Sequence, residues 1–480
     1  MDPLSWTGQI AFLNPVLALG LGLLGLSVLA WIVLSCLLPE NRAITPSGAG
    51  LSLPTGPREL TGLAVRLTFL LTAAVIAAYL ILGLVLGTGA GIIGAIAQRL
   101  LPVWIALVLL FALSVRFKQR MGMYGKLFDS PIGMIGFGLV MFWVFTGIFG
   151  AFDLIITHDP LAQLSGLKNK VPGTPLPSPE EGDFQWYLLG GDNLARDVFS
   201  RMVKGAWEVV KIAPLATIFA FMAGITLGLP AGYFGGRIDT FLSFLANLIL
   251  AFPVILLFYL LVTPEIVQTG LPQYMAAVLF AFPLIFFAVW INARFRTQPH
   301  QNRLWLSVVL IPLVWGYFSV INQTESKINF LPQSLDLFNI TGGILVVFVS
   351  VVFVNSPTVF RIVRGLTMDI KTRDYVAAAQ TRGERPWYIM LWEVLPNARG
   401  PLIVDFCLRI GYTTILLGTL GFFGLGLPPE SPDWGSTINE GRKLLAIYLH
   451  PALPPAFALL SLVLGLNLLA DGLREESMKD

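Results

Sequence analysis

Long apolar runs separated by short polar segments dominate the chain. Eleven of them, at 10–38, 64–87, 98–114, 132–157, 207–230, 241–263, 274–293, 304–321, 338–358, 401–424 and 453–470, approach or exceed the roughly 20 residues that cross a bilayer as a helix. The pattern predicts an all-α polytopic membrane protein with about eleven transmembrane helices. Three of these runs are less regular: 98–114 contains Pro102, and 274–293 and 304–321 form a closely spaced pair. Ala251-Phe252-Pro253 puts a proline inside 241–263, where it removes a backbone hydrogen bond and kinks the helix. Such a break serves as a hinge, a cavity lining or a plain packing kink.

One segment breaks the apolar pattern differently. Tyr375 to Pro401, YVAAAQTRGERPWYIMLWEVLPNARGP, is polar and helix-prone. Tyr375–Arg382 is rich in good helix formers, and Gly383 can supply the positive φ that ends a helix. Pro386 suits the first turn of a second short helix that runs to Leu395-Pro396. The loop carries Arg361, Arg364, Lys371, Arg373, Arg382, Arg385 and Arg399, and basic loops stay on the cytoplasmic side. Alternation from there puts the N-terminus outside and the C-terminus inside. Nineteen Lys and Arg then fall in inside segments, nine in outside segments and three within spans. A helix–glycine–helix knob of this kind can dock in a groove on another protein.

The stretch resembles the coupling loop of ABC importer permeases, whose pattern is Glu-Ala-Ala, three residues, Gly, nine residues, Ile-x-Leu-Pro. Ala378, Ala379, Gly383, Leu395 and Pro396 fit at that spacing, while Ala377 stands in place of the Glu and Glu393 in place of the Ile. The resemblance, to the C-type member of the dipeptide/oligopeptide, binding-protein-dependent family, continues from Phe128 to the end. It implies a six-helix type I permease core over 128–480, interrupted by an inserted helix pair at about 264–337. Residues 1–127 are then accessory helices and a linker. It also implies that Ala377, Ala378, Ala379, Gly383, Glu384, Trp387, Leu395 and Pro396 meet an ATPase.

Two further stretches carry the resemblance. Leu189–Arg201, LGGDNLARDVFSR, looks like the family's Leu-Gly-Thr-Asp-x-x-Gly-Arg-Asp-Val-x-Ser-Arg, with Gly191 for the Thr and Ala195 for the second Gly. Leu420–Gly441 is similar to its Phe-Leu-Gly-Leu-Gly, Pro-Pro and Trp-Gly segment, through Phe422, Gly424, Gly426, Pro428, Pro429, Trp434 and Gly435. Asp192, Arg196, Asp197, Asp433 and Trp434 are therefore expected to contact a binding protein or a partner permease; a solvated interfacial helix is the plainer reading of the first three. Asp405 and Arg409 lie four apart in an apolar span. An ion in hydrocarbon costs about 2.5–3.5 kcal/mol, so the two should face inward, as a structural pair or as a lining of the inner vestibule.

Composition removes other classes. Charged residues are 12% against a soluble norm of about 25%, and the net charge of +3 suggests no nucleic-acid partner. Cys36 and Cys407 sit in separate apolar runs, and His158, His300 and His450 are scattered, so no metal or acid–base site is expected. MDPLSWTGQ has no basic n-region and precedes a first membrane helix rather than forming a cleavable signal. The chain lacks GxxxxGK[ST], the phosphate loop that holds ATP. No catalytic residue and no cofactor of its own are expected. ATP and Mg would belong to two partner ATP-binding subunits, alongside a second homologous permease and an extracytoplasmic solute-binding protein, in a bacterial cytoplasmic membrane. Family substrates are peptides, nickel, opines or oligosaccharides. An ion-gradient-driven transporter would instead show isolated buried acids or an interrupted-helix repeat.

Overall fold

The computed structural model describes residues 2–37, 56–322, 335, 342–425 and 431–477. Gly426, Pro428, Pro429, Arg42, Lys327 and Lys479 lie outside the described residues. Ten described helices are long and apolar enough to cross a membrane, and a bent pair makes an eleventh. The contacts divide the chain into two compact units, Met1–Pro102 with Gln163–Phe199, and Val103–Ala162 with Ser200–Asp480.

The first unit holds α1 (Asn14–Leu37), α2 (Pro57–Leu86) and α3 (Gly91–Arg99). Helices α1 and α2 are joined by polar contacts inside their apolar faces. Ser27 Oγ meets Thr68 Oγ1 at 3.0 Å, and the Tyr79 hydroxyl donates to Asn14 Oδ1 at 2.6 Å. The segment 163–199, within the stretch 128–480 expected as permease core, groups with these helices. Leu4 N–H donates to the Gly173 carbonyl (2.9 Å), and the Trp186 indole to the Asp2 carbonyl (3.2 Å). Within it, Thr174–Pro175 pairs antiparallel with Trp186–Tyr187.

The second unit is built from α4 (Leu101–Phe117), α5 (Pro131–Ala151), α6 (Val198–Phe234), α7 (Gly236–Ala251), α8 (Val254–Val262), α9 (Leu271–Phe295) and α10 (Pro299–Ile321). It continues with α11 (Gly342–Ile370), α12 (Asp374–Thr381), α13 (Arg399–Phe422), α14 (Trp434–Arg442) and α15 (Leu453–Ser477). Pro102 falls in the first turn of α4, where a missing N–H costs nothing. The expected span 241–263 is two helices bent by 81° at Phe252-Pro253. Helix α6 starts nine residues before the expected 207.

Close approach of backbones sets the core. On α6, Gly224, Gly228 and Gly232 are spaced by four and face α11: a Cβ on each would come within 2.5, 2.8 and 2.7 Å of Val359, Val363 and Arg364 or Thr367. In a bilayer small residues let helices gain dispersion and backbone contacts that larger ones would block. Helix α9, from the expected inserted pair, is part of this core. Phe280 on α9 meets Phe219 on α6 and Phe348 on α11, ring centroids 5.0 and 5.5 Å apart.

Candidate functional site

Helix α12 begins at Asp374, whose carboxylate favours the N-terminal end of the helix dipole. It ends in a Schellman motif. Gly383, at φ +80°, donates its N–H to the Gln380 carbonyl (2.9 Å), and Glu384 N–H reaches back to the Ala379 carbonyl (3.2 Å). Only glycine enters this left-handed region without a steric penalty. The expected role of Gly383 in shaping the turn is what the geometry displays, and Glu384 contributes through its backbone.

The chain then restarts as a helix at Pro386, runs through Tyr388, widens into a π-helical turn over Ile389–Val394 and closes over Leu395–Asn397. The π turn was not legible in the sequence. Its one clue is Pro396, which has no N–H for the Trp392 carbonyl; in the widened turn the Leu395 N–H reaches Met390. Arg382 Nη2 donates to Glu393 Oε1 at 3.1 Å, linking the two short helices across the glycine. Glu393, which replaces the family's Ile, is the acceptor in that link.

One face of this projection is buried and the other is bare. Val376, Ala379, Ile389, Met390, Leu391 and Val394 sink into a cluster with Phe221 and Leu229 of α6, Val359 and Val363 of α11, and Leu402 of α13. Ala377, Ala378 and Gly383 are exposed, and Tyr375 and Trp387 stand 39% and 40% exposed at either side of them. Leu395 is half-buried beside the cluster and Pro396 is exposed.

A second set of contacts, missed in the sequence, braces the projection from the α6–α7 hairpin. Asp239 forms a two-pronged pair with Arg364 on α11, its Oδ2 accepting from Nη2 at 2.6 Å. Lys371 Nζ donates to the carbonyl of Gly232 (2.7 Å), and Gln380 Nε2 to the Tyr233 hydroxyl (3.1 Å). The signal available was the run Ala231–Asp239 itself: a tight hairpin with one acid faces a basic loop, and pairing the two is what charge alone suggests.

The residues expected to meet an outside partner are placed differently. Asp192, Arg196 and Asp197 are at most 3% exposed. Asp192 Oδ2 takes the Arg196 Nε–H at 2.7 Å, and its Oδ1 accepts the N–H groups of Leu194 and Arg196, closing a turn. Ala195, standing where the family has glycine, adopts φ +63° within it. Asp433 and Trp434 are also buried. Asp433 caps α14 by accepting the Ser436 N–H (2.9 Å), and the Trp434 indole donates to the Met202 carbonyl (2.8 Å) while meeting Trp143 edge-on at 5.1 Å. Burial pushes the Asp433 carboxyl above the usual carboxylate range, against the Ser436 hydrogen bonds and the nearby Arg201 charge. All five side chains are buried: Asp192, Arg196 and Asp197 lie in a local turn, Asp433 caps α14, and the Trp434 indole ties α14 to α6. Helix α14 lies between the expected spans 401–424 and 453–470, where no helix was predicted; the Asp433 cap followed by Trp434-Gly435-Ser436 was its available signal. Asp405 and Arg409 share one face of α13, with Nε and Oδ2 3.4 Å apart and both side chains largely buried.

Comparison with known proteins agrees with this architecture. Residues 304–475 match the family described as binding-protein-dependent transport system inner membrane component. A glutathione transport system permease protein of Pectobacterium atrosepticum is 28% identical over 295 residues, 62% of this chain and 73% of that protein. A dipeptide transport system permease protein of Alkalihalophilus pseudofirmus is 26% identical over 328 residues, 68% of this chain and 82% of that protein. A glutathione permease of Escherichia coli O1:K1 reaches 37% over a shorter stretch, 134 residues, 28% of this chain and 44% of that protein. With its membrane-spanning helices and these relatives, the chain is a transmembrane permease subunit of the binding-protein-dependent ABC importer family.

Proposed function

We propose that the 374–397 projection is the site at which an ATP-binding subunit docks, and that the imported solute is a short peptide. The chain pairs with a second homologous permease, each forming half of one path. Two ATP-binding subunits, which bind ATP and Mg, supply the energy, and an extracytoplasmic binding protein delivers the solute. The N-terminus lies outside and the C-terminus in the cytoplasm.

One observation carries this reading. The projection buries one face against α6, α11 and α13 and leaves Tyr375, Ala377, Ala378 and Trp387 bare on the other. Exposed aromatic anchors around small residues suit a groove on a partner, and the buried face connects any movement of the knob directly to three spans. Closure of the ATP-binding subunits would then bias inward-open against outward-open arrangements through that connection. The peptide assignment is supported by relatives named for glutathione and dipeptide transport.

Cysteines at Ala378 and at the groove of a co-expressed ATP-binding subunit test the docking. Crosslinking should require the projection and should change between ATP-bound and ATP-free states. A crosslink absent in both states, in a complex that still takes up labelled peptide, would overturn it. Peptide as solute is tested separately, by competition of unlabelled dipeptides with uptake.

A further inference from the structure

A groove of about 400 Å³ opens between α6, α9, the 386–397 segment and α13. Its walls are Phe221, Trp290, Trp392, Leu402, Ile403 and Phe406, with Arg399 beside them. That volume lies in the range of small-ligand sites, and Arg399 is the one charged residue in its lining. Arg399 opens the apolar span Arg399–Phe422, and Arg294 is the residue before the end of the span Leu271–Phe295. Both guanidiniums therefore stand where the chain leaves hydrocarbon, the level of lipid headgroups.

Among the described residues these groups have no ion-pair or indole hydrogen-bond partner. Among the described residues, neither Arg294 nor Arg399 has a carboxylate within ion-pair distance; Arg294 lies over the Trp392 ring at 4.8 Å. The Trp392 indole nitrogen is buried and finds no acceptor among the described residues. A buried donor left unmade is costly, and something that accepts its hydrogen bond is favoured there. Trp290 stacks on Trp392 with centroids 5.7 Å apart, so two indoles occupy the interfacial level together.

We infer that this groove binds a phospholipid with a net-negative headgroup. The phosphodiester would lie between the two guanidiniums and accept from the Trp392 indole, and an acyl chain would cover the apolar walls. Basic pockets between membrane helices select anionic headgroups in this way. A soluble phosphate would satisfy the cations and leave the apolar walls wet. A zwitterionic lipid would cover the walls and bring its own cation against the arginines. The site sits under the π turn of the projection, so its occupancy stiffens the segment that carries Trp387.

The test reconstitutes the full chain in vesicles with brominated phosphatidylglycerol or brominated phosphatidylcholine and reads tryptophan quenching. Phosphatidylglycerol should quench selectively, by about fivefold in relative association for each guanidinium. Arg294→Gln with Arg399→Gln should bring the two lipids level while quenching by phosphatidylcholine stays as it was. Trp290→Phe with Trp392→Phe, in the otherwise native chain, should remove the selective component. Equal quenching by both lipids would overturn the inference, as would selectivity that survives either double variant. Two other results count against it: relief of quenching by soluble glycerol phosphate, which makes the groove an anion site, and loss of selectivity in the assembled transporter, which gives the groove to a partner subunit.

Discussion

Gly383→Val separates the shape of the projection from its stability. At φ +80° an added Cβ meets no atom within 4 Å, so crowding contributes nothing and the whole effect is backbone strain. A non-glycine residue in the left-handed region costs about 1–2 kcal/mol, and a β-branched one more. The chain could escape by rotating back to negative φ, but it would then break the Gly383-to-Gln380 and Glu384-to-Ala379 bonds, at about 0.5–1.5 kcal/mol each. The two routes cost about the same, so the native angle between the short helices loses roughly tenfold or more in its ratio to the rotated form, which becomes comparably populated. Membrane insertion should be unchanged, because no span contacts the substituted atom. Gly365→Val is the control: its Cβ also meets open space, at an ordinary helical φ, where valine replaces glycine without penalty. At matched expression in the assembled transporter, Gly383→Val should lose uptake and solute-stimulated ATP hydrolysis, and Gly365→Val should keep both. Near-normal activity in Gly383→Val would refute the reasoning.

Three other outcomes follow from the packing. Gly228→Val would place carbon 2.8 Å from the Val363 side chain and should lower stability by about 1–3 kcal/mol, read as a drop in monodisperse protein on gel filtration, with Gly228→Ala milder. Asp239→Asn keeps the shape but weakens the partly exposed pair with Arg364, costing about 1 kcal/mol or less; it should halve coupling or more without altering expression, and Asp239→Glu should retain more. Asp433 has its folded pKa raised by burial, so its contribution to stability is full below the unfolded value and is lost as pH rises through the folded one. Asp433→Asn, which keeps the helix cap, should therefore melt higher than the native chain at pH 7 and level with it in acid; equal melting at both pH values would contradict this.

The spans were legible because hydrocarbon imposes one demand everywhere: satisfy the backbone internally and show apolar side chains. Gly383 and Pro386 were legible because their backbone constraints are local, and each occupies the position its chemistry favours. What escaped depended on partners far along the chain. Nothing local tells that Asp239 reaches Arg364, or that Gly224, Gly228 and Gly232 form a seam rather than a flexible stretch, although their spacing by four was there to read. Asp192 and Asp433 misled for another reason. A charge next to an apolar run suggests a surface, yet near a membrane the same carboxylate can cap a helix or close a turn, and both do so here. The expected inserted pair shows a third limit: departure from the family pattern suggested extra spans but not where they pack, and Phe280 sets α9 against α6 and α11.

How the projection could transmit force follows from what braces it. A knob held by one hydrophobic face alone would slide, because dispersion contacts have no preferred direction. Here three directional supports are added. The Arg382–Glu393 link fixes the angle between the short helices, the Gln380–Tyr233 and Lys371–Gly232 bonds fix α12 against the α6–α7 hairpin, and the Asp239–Arg364 pair fixes that hairpin against α11. The glycine seam then holds α6 to α11 at backbone distance. A displacement at Trp387 is therefore delivered to α6 and α11 as a rigid unit rather than absorbed in the loop. The break at Phe252-Pro253 lies beyond that unit, on the far side of α7. A helix interrupted there can bend without breaking a ladder hydrogen bond, since Pro253 has none to give, so motion imposed at the hairpin has a place to be taken up while the seam stays closed.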